Sequence, residues 1–443
     1  MNMKRPMELL APAGSPEALR AAVVNGADAV YLGLEQFSAR AGADNFTTGN
    51  LREWVRYAHL FGVKVYVAIN TIIKQSEMDD ALAAVSFAHQ SYADAIIVQD
   101  LGLIAQIRQT MPDVVLHGST QMGFHNLEGA LCAEQLGLRR IVLARETPLS
   151  EIRRIRKETS LELECFVHGA LCIGFSGNCY MSSYVSGLSG NRGRCLQLCR
   201  KSYKAACNSF HVDGYWLSPA DLCLVDYLSE LQAAGIDSFK IEGRLKRKEY
   251  VGETVRVYKK AMNGIELSDE DRESLGVLFN RGNFHSGYLD NKDVVFPYTP
   301  SHLGITIGTV KSVENNIAHL DVNREIHKGD GIKFIRGKFE VGTASCKGGC
   351  ETTFVGDVRP NDWVNLTTSV SLLEAIDKRT RKIPISVTAR LVRGQAIEFS
   401  AKADKITVTV AGDICETAQN TPIRKEDIER ALLKGSADFD PTV

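Results

Sequence analysis

The sequence lacks the features that mark membrane, secreted and generally basic proteins. No apolar run approaches the roughly 18 residues that a membrane helix needs. The first residues, M-N-M-K-R-P-M-E-L-L, hold neither the apolar stretch nor the cleavage site of a secretory signal. A formal net charge of −1 over 443 residues argues against a chain that is basic throughout, although it is compatible with a local basic patch. We therefore expect a cytoplasmic protein with no membrane partner.

Sequence motifs of several enzyme classes are missing as well. No G-x-G-x-x-G follows the first predicted strand, which argues against a dinucleotide-binding fold. There is no H-E-x-x-H zinc-protease motif, and G-F-S-G-N does not match the G-x-S-x-G of hydrolases with a serine nucleophile. The chemistry must therefore be sought in another pattern.

Cysteine, in contrast, is concentrated in one segment. Four of the 11 cysteines fall within 28 residues of glycine- and serine-rich sequence, namely Cys172, Cys179, Cys195 and Cys199. A reducing compartment disfavours disulfides, and the segment has little apolar surface to bury, so metal binding explains the pattern better. Spacings of 7, 16 and 4 residues are too loose for two C-x2-C zinc knuckles. They favour an iron–sulfur cluster and leave zinc as the alternative.

Residues 7–260 alternate short apolar strands with amphipathic helices, which is typical of a parallel sheet. Eight predicted strands over this length favour a TIM-like (β/α)8 barrel. We expect an α/β barrel domain over residues 1–300 with a cysteine-rich loop at 168–223, long enough to carry function. A small β-barrel-like domain is predicted at 301–375, and a β-rich C-terminal domain at 376–443.

The barrel prediction selects candidate site residues, because chemistry in this fold lies just past the carboxyl ends of the strands. His168 is the candidate acid or base, two residues beyond a predicted strand end. The other candidates are acids, cations and one amide: Arg145, Glu146 and Glu242 as catalytic residues, and Gln121, Lys240 and Arg244 as binding residues for a carboxylate or RNA phosphate. A structural ion network of Lys240, Glu242 and Arg244 is the competing interpretation.

Several motifs give the chain a family resemblance over residues 7–290. They include M-E-L-L-A-P-A-G, N-G-A-D-A-V-Y-L-G, H-G-A-L-C-I-G-F-S-G-N-C, G-R-C-L-Q-L-C-R and S-F-K-I-E-G-R-L-K. With these motifs the chain resembles the collagenase-like peptidase family, class U number thirty-two. The resemblance implies an oxygen-independent hydroxylase with a 4Fe-4S cluster, and its RNA-modifying branches imply prephenate as a co-substrate. It implies Cys172, Cys179 and Cys195 as ligands, with either Cys199 or Cys207 as the fourth; we favour Cys199.

The segment after residue 300 resembles the branch that makes 5-hydroxycytidine in 23S rRNA, which is therefore the first function we expect. The second is that of the branch that makes 5-hydroxyuridine in tRNA. Relatives in the first branch usually continue further, so we expect a truncated C-terminal domain, by natural shortening or a split reading frame. A partner that completes this domain is a further expectation. The sequence does not identify the electron donor. Two other functions stay open. One is a cysteine peptidase that pairs His168 with Cys172, and the other is a non-catalytic RNA- or ribosome-binding factor with a zinc staple.

Overall fold

The computed structural model describes residues 7–40, 42–207, 210–289, 293–418 and 421–442. Eight parallel strands form a closed barrel, because the eighth strand pairs with both the first and the seventh. The strands are Glu8–Pro12, Ala29–Gly33, Lys64–Ile69, Ala95–Val98, Leu116–Gly118, Arg140–Val142, Glu162–Ala170 and Ser238–Ile241. The predicted TIM-like barrel is thus confirmed.

Helices cover the outside of the barrel, and side-chain caps define where several of them begin. Ser15, Asp100 and Asn126 each accept a hydrogen bond from a backbone amide in the first turn of the helix that follows. The helices of this region are Pro16–Val24, Leu51–Leu60, Met78–Gln90, Leu101–Thr110, Leu127–Gln135, Leu149–Glu158, Leu228–Ala234, Lys248–Met262 and Asp269–Leu278.

Charged residues fill part of the barrel interior. Arg140 binds Glu164 at 2.9 Å and also pairs with Glu8, while Lys240 Nζ lies 2.9 Å from the other oxygen of Glu164. These side chains are almost fully buried. Glu8 is the first residue of its strand and also accepts a hydrogen bond from Ser238, so the network lies toward the amino ends of the strands. Burial of such charges is tolerated because each is paired.

The cysteine-rich insertion separates the seventh and eighth strands. It consists of short turns, a helix at Met181–Ser186 and an antiparallel hairpin of Tyr203–Cys207 with Phe210–Gly214. The strand Asp221–Cys223 then returns antiparallel to the end of the seventh strand. A further short strand, Phe284–His285, pairs beside it. The insertion is thereby tied to the carboxyl end of the barrel.

The next segment forms one antiparallel seven-stranded sheet around a separate core. Its strands are Ile305–Glu314, Ile317–Val322, Lys328–Arg336, Phe339–Lys347, Glu351–Thr353, Val355–Gly356 and Trp363–Thr368. Val310, Phe334 and Val364 are fully or almost fully buried in this core, and the helix Val370–Asp377 follows. We call this segment the β module. It belongs to the same compact unit as the barrel, which ends at Lys378.

Residues 379–443 form the second compact unit. It contains a four-stranded sheet and the helix Lys425–Leu432. Its strands are Ile383–Arg390, Ala396–Ala403, Ile406–Ile414 and Phe439–Thr442. Ile406, Val408 and Val410 are largely exposed; the expected partner that completes this domain stays a prediction. In the part of the chain that the structure describes, no helix is both long and apolar enough to cross a membrane.

Candidate active site at the carboxyl end of the barrel

The structure brings the four cysteines of the insertion into mutual electrostatic range. Burial raises the pKa of the Cys199 thiol, and the adjacent Arg200 guanidinium opposes that rise. Negative charge on Cys172, Cys195 and Cys179 acts in the same direction as burial, so these three thiols lie within electrostatic range of Cys199. The thiols are free, and all four are at least partly accessible. The side chain of Cys207 lies outside the described residues.

Glycines allow the chain to wrap closely around these thiols. A Cβ atom on Gly174 would lie 2.9 Å from Cβ of Cys179, closer than real Cβ contacts come. Gly190 lies against Cys195 and the carbonyl of Cys179. The amide of Gln197 donates a 3.3 Å hydrogen bond to Sγ of Cys195, with Gln197 in the left-handed region at φ 51°. Such N–H···S bonds stabilise a thiolate.

Arg192 and Glu146 fix the insertion to the barrel, and Arg200 holds the two ends of the insertion together. Arg192 donates to the carbonyl of Ile72 at 2.5 Å and pairs with both oxygens of Glu77. Arg200 donates to the carbonyls of Leu171 and Pro219 and to Oγ of Ser218. The predicted site residue Glu146 accepts a 3.2 Å hydrogen bond from the amide of Ser176. In this structure Glu146 therefore positions the cysteine loop.

Three guanidinium groups surround one carboxylate at the barrel rim. Glu242 pairs with Arg40 at 3.3 Å. Burial alone would raise the pKa of Glu242, but the charges of Arg40, Arg145 and Arg244 hold that pKa below its usual value. We call these four residues the rim cluster. Because it holds three positive charges and one negative charge, it is suited to bind an anion.

Arg244 and Arg145 keep unused hydrogen-bond donors in this cluster. Arg244 is only 4% exposed, and its Nη1 has no hydrogen-bond partner among the described residues. Burial and the nearby Arg40 charge lower the pKa of Arg244 to about 10. The guanidinium of Arg145 stacks on Phe166 at 4.3 Å from the ring centroid, and its buried Nε likewise lacks a partner in the described part. Buried donors of this kind are available to hydrogen-bond an anionic ligand or a water molecule.

Gln121 lies between the rim and the cysteine loop. Asn70 donates to Oγ of Ser119 at 3.3 Å and approaches Oε1 of Gln121 at 3.5 Å. A Cβ on Gly177 would lie 4.0 Å from Cγ of Gln121, so this side chain reaches the loop. The structure thus brings the rim cluster, Gln121, Glu146 and the cysteines to one end of the barrel.

Comparison with known proteins assigns the chain to a family. The profile of peptidase family U32 matches residues 14–295, well over half of the chain. The chain belongs to peptidase family U32. This result confirms the resemblance inferred from the motifs.

Three relatives show the range of activities named in this family. The 23S rRNA 5-hydroxycytidine synthase of Escherichia coli is 35% identical over 346 residues, covering 74% of this chain and 52% of the relative. The tRNA hydroxylation protein P1 of Bacillus subtilis is 39% identical over 276 residues, 59% of this chain and 64% of the relative. A collagenase of Porphyromonas gingivalis is 34% identical over 309 residues, 64% and 74%. The chain spans about half the length of the first of these relatives.

Two of the sequence-predicted residues lie deeper in this U32 protein than the rim. Lys240 belongs to the ion network of the barrel interior with Glu164. His168 is 1% exposed, and its Nδ1 lies 3.3 Å from the hydroxyl of Tyr258. Burial and the charge of Lys246 lower the pKa of His168 to about 3, so the imidazole is neutral near pH 7. Its Nε2 has no hydrogen-bond partner in the described residues.

Sequence reasoning missed a second polar group at this end of the U32 barrel. Lys246 places Nζ 2.7 Å from the ring centroid of Phe279, and burial together with the Arg281 charge lowers its pKa to about 7. Asp221 is buried, which raises its pKa, and lies 3.7 Å from Arg281. Lys246 stands in the G-R-L-K motif, which could have signalled it. Arg40, Asp221 and Arg281 come from separate segments, two loops and the strand Asp221–Cys223, and no local pattern joins them.

Proposed function

We propose that this chain is an oxygen-independent RNA hydroxylase that holds a 4Fe-4S cluster on Cys172, Cys179, Cys195 and Cys199. The observation that carries the proposal is that Cys172, Cys179 and Cys195 all lie within electrostatic range of Cys199, and that Cys172 also acts on Arg40 of the rim cluster. The product is a 5-hydroxypyrimidine, with 5-hydroxycytidine in 23S rRNA first and 5-hydroxyuridine in tRNA next. The names of the relatives from Escherichia coli and Bacillus subtilis support RNA as the substrate.

The thiol arrangement fits a cluster better than a single zinc ion. Four thiolates around one zinc at about 2.3 Å would lie about 3.8 Å from one another. Among the described residues, however, no three histidine, cysteine, aspartate or glutamate side chains converge closely enough to hold one ion. A cluster binds each thiolate through a different iron and therefore spaces the sulfurs more widely. Electrostatic proximity without single-ion geometry supports the cluster.

The protein's own residues would bind and orient the reactants. Exchange of C5–H for C5–OH with oxygen from water would release two protons and two electrons, and a bound cluster would relay those electrons to an external acceptor. Arg145 and Arg244 offer free donors for a carboxylate co-substrate, for which we propose prephenate, while Glu242 keeps the guanidiniums in place. Lys246, with a pKa of about 7, can hold or release a proton at Nζ near neutral pH.

A cysteine peptidase is the second candidate, favoured by the name of the Porphyromonas gingivalis relative. Such an enzyme needs a cysteine in hydrogen-bond contact with a histidine. His168 instead faces Tyr258 and packs among the rings of Tyr250, Tyr258 and Phe284. This surrounding supports the hydroxylase over the peptidase. The zinc-stapled RNA-binding factor is the third candidate.

Metal analysis of the protein purified without oxygen tests the proposal. We expect about four iron and four sulfide per chain, reduced strongly in Cys199→Ser. Cys132→Ser, at an exposed helical position, is the matched control and should keep its iron. If Cys207→Ser loses its iron and Cys199→Ser keeps it, then Cys207 is the fourth ligand in place of Cys199. Zinc in place of iron would favour the non-catalytic RNA-binding factor with a structural zinc. Protein with neither metal would overturn the hydroxylase.

The RNA reaction is tested separately. Nucleosides of total RNA from cells with and without the gene, separated into rRNA and tRNA, are analysed by mass spectrometry. We expect a 5-hydroxypyrimidine that disappears without the gene and returns with the wild-type chain but not with Cys199→Ser. An unchanged nucleoside profile in both RNA classes would contradict RNA hydroxylation.

A further inference from the structure

A groove lies between the end of the barrel domain and the β module, within the single compact unit that ends at Lys378. Its volume is about 540 Å³, and its walls include Tyr215, Tyr298, Ser301, Phe339, Glu340 and Val355. We call it the aromatic groove. A volume of this size is typical of small-ligand sites and accommodates a nucleotide. The rim cluster and the four thiols do not contribute to its walls.

The aromatic rings of the groove pack against one another, and one of them, Phe339, is also exposed to solvent. Tyr298 packs edge-on against Phe296 at 5.2 Å and against Phe339 at 5.5 Å. Phe339 is nevertheless 57% exposed, just after a hairpin tip at Gly337, which adopts φ 64°. An aromatic ring fixed in place and open to solvent loses little side-chain entropy when a flat ligand stacks on it.

The charge at the mouth of the groove suits an anionic ligand. Lys338 Nζ lies 4.6 Å from the ring centroid of Tyr298 and 3.4 Å from its hydroxyl. The one carboxylate in the wall, Glu340, is paired with Lys333 at 2.7 Å. The acid is thus neutralised, and Lys338 stays beside the ring of Tyr298. Alternation of cations with stacking rings is typical of surfaces that bind single-stranded nucleic acid.

The groove is linked directly to the cysteine insertion. The amide of Tyr215 donates to the carbonyl of Pro297 at 2.9 Å, and the amide of Phe296 donates to that of Ser218 at 2.8 Å. Ser218 in turn accepts a hydrogen bond from Arg200, the residue after Cys199. Tyr215 and Ser218 are three positions apart in the sequence, at most about 10 Å along the chain. A single-stranded nucleic acid bound in the groove therefore lies near the cysteine insertion.

We propose that the aromatic groove binds an unpaired segment of the RNA substrate, with one base stacked on Phe339 and a neighbouring phosphate on Lys338. The proposal rests on RNA as the substrate and adds a binding site away from the reacting base. A proline-rich peptide also docks on exposed aromatic rings, but it makes no use of a lysine at the mouth. The lysine therefore favours RNA.

Binding of a labelled 12-nucleotide oligouridylate to the full-length holoprotein tests this site by fluorescence anisotropy. Phe339→Ala should weaken binding by about tenfold or more, because it removes a stacking surface. Lys338→Ala should weaken binding and reduce the slope of log K against log salt by about one. Phe339→Tyr should bind within about twofold of wild type. Trp363→Ala removes a ring of the same module that is 50% exposed and outside the groove walls, and should have no effect.

Two results would overturn the groove proposal: affinity unchanged in both Phe339→Ala and Lys338→Ala, or binding of a proline-rich decapeptide in place of the oligouridylate. Iron content and melting temperature, measured on every variant, show that a loss of binding is not a loss of fold. The same preparations keep the two proposals apart. If the protein holds iron and hydroxylates RNA, but the groove variants bind the oligouridylate as wild type does, only the groove proposal is rejected. If the groove variants lose binding but the protein holds no iron, only the hydroxylase proposal is rejected.

Discussion

Arg244 lies buried beside two other guanidinium groups and a single carboxylate, and it keeps an unsatisfied donor. At the scale of single residues this surplus of positive charge is what the site offers a substrate. A buried donor without a hydrogen-bond partner is destabilising in the free protein, so a bound anion would relieve that penalty. The rim cluster therefore predicts anion binding more directly than any single motif in the sequence.

Replacement of Arg244 by lysine tests this role. The charge is kept, but the planar, two-pronged donor is lost. We expect prephenate binding to the holoprotein, measured by calorimetry, to weaken about tenfold or more. Arg272→Lys, in an exposed pair with Asp226, is the matched control and should bind as wild type does. Equal affinity in both variants would show that Arg244 does not contact the co-substrate.

Lys246 predicts a pH dependence. Its pKa is lowered from 10.5 to about 7, so the folded protein binds fewer protons than the unfolded chain between these values. Stability therefore rises with pH across this window, and the full penalty, on the order of 5 kcal/mol, is present below pH 7. Lys246→Met should raise the melting temperature at pH 6, with the gain gone near pH 10.5. A gain of equal size at both pH values would show that the charge of Lys246 is not responsible.

At the scale of secondary-structure elements, the cysteine insertion depends on its glycines. Gly174→Ala would place a methyl group 2.9 Å from Cβ of Cys179, whereas Gly190→Ala meets its neighbours only at ordinary distances of 3.6 to 3.7 Å. We expect Gly174→Ala to lose at least half of its iron and Gly190→Ala to keep it, by metal analysis of anaerobic preparations. Equal iron in the two variants would show that the loop adjusts freely.

The elements also show how far the sequence could be read. Short apolar strands between capped helices are local patterns, so the barrel could be predicted from them. How deep a side chain lies within the barrel does not follow from the local sequence. Lys240 fits the same sequence pattern as a rim residue, yet its ion pair with Glu164 on the neighbouring strand holds it in the interior. Arg40 reaches Glu242 across 202 positions of sequence. Such pairs follow from closure of the barrel and could not be read from either segment alone.

At the scale of the whole molecule, the contacts of the β module decide which pieces can fold alone. His302 lies within hydrogen-bond distance of the carbonyls of Val277 and Thr367, and Asn280 donates to the carbonyl of Gly304. A break near residue 300, where the sequence suggested a domain boundary, would cut through this buried network. A break after Lys378 follows the division between the two compact units instead.

Two truncated chains therefore should behave differently. Residues 1–378 should stay monodisperse, melt cooperatively and bind as much iron per chain as the full-length protein, because this piece keeps its core intact. Residues 1–300 should aggregate or melt at least about 10 °C lower, because Val277 and Asn280 lose partners that lie in the β module. Size-exclusion chromatography and calorimetry distinguish these outcomes. A well-folded 1–300 piece would mean that the barrel does not need the β module, and that the aromatic groove joins two independent domains.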